Sequence, residues 1–81
     1  MMADWLEVVD TDDETILLDV RDISNVGRYE GKTYIRLYSW SEFLYVKHSY
    51  TDVKLSLASD DKIAVVKYER KNVLKAVDKG D

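Results

Sequence analysis

The stretch that decides the fold lies between residues 33 and 53. It reads Thr33-Tyr34-Ile35-Arg36-Leu37-Tyr38, then Phe43-Leu44-Tyr45-Val46-Lys47, then Ser49-Tyr50-Thr51-Asp52-Val53. In the first two runs successive residues alternate in character, the period of a strand with two unlike faces. Ile35, Leu37, Leu44 and Val46 fall on one side and read as core. Tyr34, Arg36, Tyr38, Phe43 and Tyr45 fall on the other, a ring-rich surface that must be covered or must bind something.

The turns around these runs set the expected pairing. Gly31-Lys32 suits a two-residue hairpin turn, which would put Val26 opposite Leu37 and Tyr29 opposite Tyr34. The loop Ser39-Trp40-Ser41-Glu42 would then bring Leu37 to Leu44 and Ile35 to Val46. Both turns keep Val26, Ile35, Leu37, Leu44 and Val46 on one face, which predicts an antiparallel meander. Ser49 is the expected helix N-cap, with Asp52 three residues on. Tyr50, Val53 and Leu57 follow at helical spacing, and the helix should end near Ala58-Ser59-Asp60.

Working outward, Trp5–Val9 and Thr15–Val20 read as a hairpin around the polar turn Asp10-Thr11-Asp12-Asp13-Glu14. Pairing Val8 with Ile16 and Leu6 with Leu18 puts four aliphatic residues on one face. Arg21 to Asn25 is a polar corner with a helical turn before the strand Val26–Glu30. Toward the end, residues 62–69 read as a strand, although Ile63, Val66, Val73 and Val77 also fit one helical stripe. The fold expected is α+β: a small antiparallel β-meander of four to six strands with one short α-helix packed on one face. Residues 1–81 make one domain, its core about 4–69, with 70–81 a helical or loose tail.

A chain of 81 residues has room for one core, and buries only roughly 60–65% of the surface it exposes unfolded. It contains no cysteine, which excludes disulfides, thiolate metal sites and cysteine nucleophiles, and suits a reducing compartment. No apolar run approaches the roughly 18 residues a membrane span needs, and Met1-Met2-Ala3-Asp4 is no signal peptide. A cytoplasmic location is the expectation. Residues 1–30 hold nine carboxylates against two arginines, or −7, while residues 31–81 hold seven against ten Lys or Arg, or +3. Unlike ends of this kind can steer association, head-to-tail self-contact included.

Thr15–Val20, Asp22-Ile23, Ile35-x-Leu37, Val46-Lys47-x-Ser49 and Asp52-Val53 together resemble the FlbD-type small flagellar proteins, also called SwrD. The same layout is similar to short proteins of bacterial and phage genomes. The resemblance spans about residues 5–58 and consists mostly of a hydrophobic pattern. It implies a small accessory protein without catalytic residues, tied to motility. His48 stands where that family usually has Glu, and the tail beyond Asp60 is longer and rich in Val. The first half also resembles LytTR-type DNA-binding domains, but their basic recognition residues have no counterparts here.

The candidate partner-binding residues are Tyr29, Tyr34, Arg36, Tyr38, Trp40, Phe43 and Tyr45, because Tyr, Trp and Arg carry much of the energy of interfaces. The competing reading has the first hairpin, with Trp5, Val9 and Leu17, or the Val-rich tail covering these rings as a second layer. Rings interleaved with Arg28, Arg36 and Lys47 are also ingredients of a base-stacking platform, but an isoelectric point near 4.9 argues against a phosphate-led mode. His48 lacks any spacing to a nucleophile and reads as a rim residue where the helix opens. Asp10, Asp12, Asp13 and Glu14 lack the frame of a calcium loop. The basic residues Lys62, Lys67, Arg70, Lys71, Lys75 and Lys79 read as a solvated cationic tail before a surface for an acidic partner or a membrane. No catalytic, cofactor or metal site is expected. The function expected is a non-enzymatic interaction module for a protein partner or for itself. The alternatives are a phage or mobile-element inhibitor offering an acidic surface to a nucleic-acid-binding protein, and a flagellar accessory protein.

Overall fold

The computed structural model describes residues 2–68. The hairpin comes first: β1 (Trp5–Val9) and β2 (Thr15–Asp19) pair antiparallel, with Leu6 opposite Leu18 and Val8 opposite Ile16, the register the sequence predicts. Asp10 builds the turn between them. Its Oδ1 accepts from the backbone amides of Asp12 and Glu14, each at 2.9 Å, while Asp13 sits in the left-handed region at φ 68°.

A single turn of 3-10 helix, Val20–Asp22, redirects the chain, capped by the Asp19 side chain accepting from the Arg21 amide. β3 (Ile23–Tyr29) starts here, three residues earlier than the sequence suggests, because this turn lies upstream of Ile23. β3, β4 (Lys32–Leu37) and β5 (Leu44–Val46) form the expected antiparallel meander.

Its register differs from the expected one by two residues at both turns. Val26 faces Ile35 and Tyr29 faces Lys32, so the hairpin turn is Glu30-Gly31, not Gly31-Lys32. Both turn residues have positive φ, 50° and 80°, the pattern of a type I′ turn. Ile35 faces Leu44 and Thr33 faces Val46, leaving residues 38–43 as a longer loop than the four residues expected. A slip of two restores every side chain to its face, so the aliphatic side survives intact.

α1 (Tyr50–Leu57) opens as predicted, with Ser49 Oγ accepting from the Asp52 amide at 3.0 Å and Val53 buried. β6 (Ile63–Val65) is a strand, shorter than the expected 62–69, and runs parallel to β1 with Trp5 opposite Ile63 and Glu7 opposite Val65. The expectations for residue 69 and for the tail 70–81 lie outside the described residues.

The strands divide between two three-stranded sheets, β2-β1-β6 and β3-β4-β5, where the sequence suggested one meander. The sheets meet at one corner. There the end of β1 runs along β5 through a bridge between Asp10 and Val46, with the Lys47 amide donating to Val9 O at 3.0 Å. One core joins them: Leu6, Val8, Leu18 and Val20 from the first half meet Ile35, Leu37, Leu44 and Val46 from the second, with Val53, Ala64 and Val66. The fold is α+β, with six strands and one helix among the described residues.

Candidate partner-binding face

Because Thr33, Ile35 and Leu37 point into the core, Lys32, Tyr34 and Arg36 of β4 must point away from it. Residues directly opposite in an antiparallel pair share a face. Gly27 and Tyr45 flank Tyr34, Asn25 flanks Arg36, and Tyr29 flanks Lys32. The outer side of β3-β4-β5 is therefore built around Tyr34.

Tyr34 stacks on Phe43 with ring centroids 4.7 Å apart and planes 12° apart, and meets Tyr45 edge-on at 6.4 Å. The Arg36 guanidinium lies 5.5 Å from the Phe43 centroid and the Lys32 ammonium 5.8 Å from that of Tyr45. Four of the seven candidate residues, Tyr34, Arg36, Phe43 and Tyr45, thus form one connected platform. Tyr29 occupies its far end beside Lys32 and is 60% exposed. Tyr38 and Trp40 lie past the end of β4, where a cleft of about 330 Å³ is lined by Ser24, Asn25, Arg36, Leu37, Tyr38 and Trp40. Tyr38 is 73% exposed, and Phe43 and Trp40 are each 43% exposed.

The loop that carries Tyr38 and Trp40 is tied down by Asp22. The Asp22 carbonyl accepts from the Tyr38 amide at 2.8 Å, and its carboxylate accepts from the amide and hydroxyl of Ser39. Sequence reasoning passed over Asp22 because its partners Tyr38 and Ser39 lie sixteen and seventeen positions away.

It also passed over Gly27, whose signal was present: a glycine inside a strand marks a close approach. A Cβ there would fall 2.5 Å from the Tyr34 hydroxyl oxygen and 2.6 Å from Cζ. The outer end of the ring thus occupies the space a side chain would need, while the ring stacks on Phe43. Gly27→Ala is expected to lift Tyr34 out of the stack and to cost about 1–2 kcal/mol, as overpacking does. Urea unfolding together with the near-ultraviolet circular dichroism of the tyrosines checks this.

The first hairpin does not cover these rings. Leu6, Val8 and Leu18 point into the core, and Trp5 and Leu17 point away on the opposite outer side. Among the described residues, no three His, Asp or Glu side chains come together as a metal site would require. No helix among them is long and apolar enough to cross a membrane.

His48 is not the rim residue that its position suggests. It is 4% exposed, and its Nε2 accepts from the Val9 amide at 2.8 Å. Its Nδ1 lies 2.6 Å from the Lys67 carbonyl, which fixes Nδ1 as the donor. Both ring nitrogens are occupied by backbone, so the ring is a fastener between β1 and the segment after β6, not a base facing solvent.

Ion pairs at the surface shape the local charge among the described residues. The Arg21 side chain, by hydrogen bond to Asp19, holds that carboxyl below its ordinary value. Asp13, 2.8 Å from Lys47 Nζ, raises that ammonium above its ordinary value. The second contact ties the acidic turn of the hairpin to Lys47, just past β5, and so spends part of its negative charge internally. Compared with family models, curated proteins and solved structures, the chain matches none.

Proposed function

We propose that the protein is a non-enzymatic interaction module that docks a protein through the aromatic side of β3-β4-β5. In this reading α1 packs over the aliphatic side of that sheet and leaves the aromatic side outward. The observation that carries it is the platform itself, with stacked Tyr34 and Phe43, the flanking Tyr45, and Arg36 over the Phe43 ring; among the described residues Arg36 and Phe43 are exposed and Tyr34 and Tyr45 half-buried. Rings already stacked lose little conformational freedom on binding, and a guanidinium above a ring brings charge without a fresh search for geometry. A motility-linked accessory role, as the FlbD-type resemblance implies, is one setting for such a module. An acidic mimic of nucleic acid has less support, because Asp10, Asp13 and Asp22 are engaged in holding turns and loops.

Two arms test the proposal together: sedimentation velocity across protein concentration, and affinity capture using wild type and Arg36→Glu as baits. Self-association or capture that Arg36→Glu abolishes, with circular dichroism unchanged, is the expected result. If neither assay separates the variant from wild type, the aromatic side is not a docking surface.

A further inference from the structure

The first sheet has an outer side of its own. Trp5 and Glu7 of β1 share it with Leu17, opposite Glu7 on β2, and with Ile63 and Val65, opposite Trp5 and Glu7 on β6. Leu17, Ile63 and Val65 are 49%, 48% and 64% exposed, and Trp5 is half-buried between its neighbours. Four large apolar side chains on three adjacent strands form a continuous patch rather than scattered surface residues.

Its charge is the opposite of that on the aromatic side. Glu7 sits within the patch as its negative charge, while Asp19, opposite Trp5, is already paired with Arg21. The aromatic side carries Lys32 and Arg36 among its rings. One molecule thus presents two apolar surfaces with complementary charge, turned away from each other across a single core.

We infer that the aromatic side of one copy receives the Trp5/Leu17/Ile63/Val65 side of a second copy. The inference rests on the docking role proposed above and names the partner. Pairing like sides would set Lys32 and Arg36 against their own kind, or Glu7 against its own copy, at a repulsive cost. Unlike sides join apolar area to apolar area and bring Glu7 to Lys32 and Arg36. Each contact leaves one free side of each kind, so association is heterologous and builds chains of growing mass rather than closed two-fold dimers.

Two blocked variants test this. Leu17→Glu with Val65→Glu spoils the first outer side and keeps the aromatic one. Arg36→Glu with Phe43→Ser does the reverse. All four positions are exposed, and circular dichroism verifies that both proteins fold. In sedimentation velocity wild type should give species whose mass rises with concentration, weakening as salt increases. Each variant alone should sediment as a monomer, and an equimolar mixture should give a one-to-one dimer and nothing larger. A mixture that stays monomeric, a Leu17→Glu/Val65→Glu protein that still dimerises alone, or wild type that never associates overturns the inference. If the mixture stays monomeric while an Arg36-dependent capture of another protein persists, the docking role stands and only its assignment to a second copy falls.

Discussion

Replacing Ile35 with alanine is expected to lower the free energy of unfolding by about 3–4 kcal/mol, while Arg36→Ala, one residue along, changes it by less than about 1 kcal/mol. Ile35 is fully buried, faces Val26 and Leu44 across the sheet, and belongs to the core that joins both halves. Removing three carbons there forfeits transfer free energy and opens a cavity that two sheets meeting at a single corner cannot easily collapse. Arg36 is exposed and loses only its place over the Phe43 ring. A chain of this size has about 4–12 kcal/mol of stability in all, so Ile35→Ala removes a large share of it. Urea unfolding of both variants measures the contrast. Equal effects at the two positions would mean that β4 does not have one buried and one exposed side.

The second large effect is expected at His48. The last pair of the β1–β6 ladder is Glu7 with Val65, and the same register would bring Val9 opposite Lys67. The strands part there, and the imidazole spans the gap, taking the Val9 amide on one nitrogen and giving a proton to the Lys67 carbonyl with the other. His48→Ala deprives a partly buried amide and carbonyl of their partners and leaves space behind, at about 2–4 kcal/mol. His48→Phe separates the two contributions. It refills the volume but offers neither acceptor nor donor, so most of the loss should persist, with faster amide exchange at Val9. Near-complete recovery in His48→Phe would show that the ring acts by filling space alone.

The two faces of the central sheet were legible because alternation is a local property of the chain. Ile35 and Leu37 point inward under any pairing that slips by an even number of residues, so the face assignment survived a wrong register. The register itself depended on backbone geometry at one turn. Gly31 suggested a turn with glycine first, but the chain places Glu30 in the left-handed region ahead of it, and two-residue turns of that type match the twist of the strands. The Ser49 cap was also legible, since its partner Asp52 lies three residues away.

What escaped sequence reasoning was long-range. No feature near Ile63 announces that β6 will pair in parallel with β1 and divide the strands between two sheets. The same pairing makes the surroundings of His48, so a residue between Lys47 and Ser49 became a buried fastener without any local sign of it. Of the candidate site, Tyr34, Arg36, Phe43 and Tyr45 were foreseeable from alternation. Gly27 beneath Tyr34 and Asp22 beneath the Tyr38–Trp40 loop needed the three-dimensional pairing.

The most direct test of the account is a concentration series of amide chemical shifts recorded on wild type. Peaks of Tyr34, Arg36, Phe43 and Tyr45 should move with concentration, together with those of Trp5, Leu17, Ile63 and Val65, while buried Ile35, Leu37 and Val53 stay fixed. Movement confined to α1 or to the Asp10–Glu14 turn, with the aromatic side of the sheet unaffected, would contradict it.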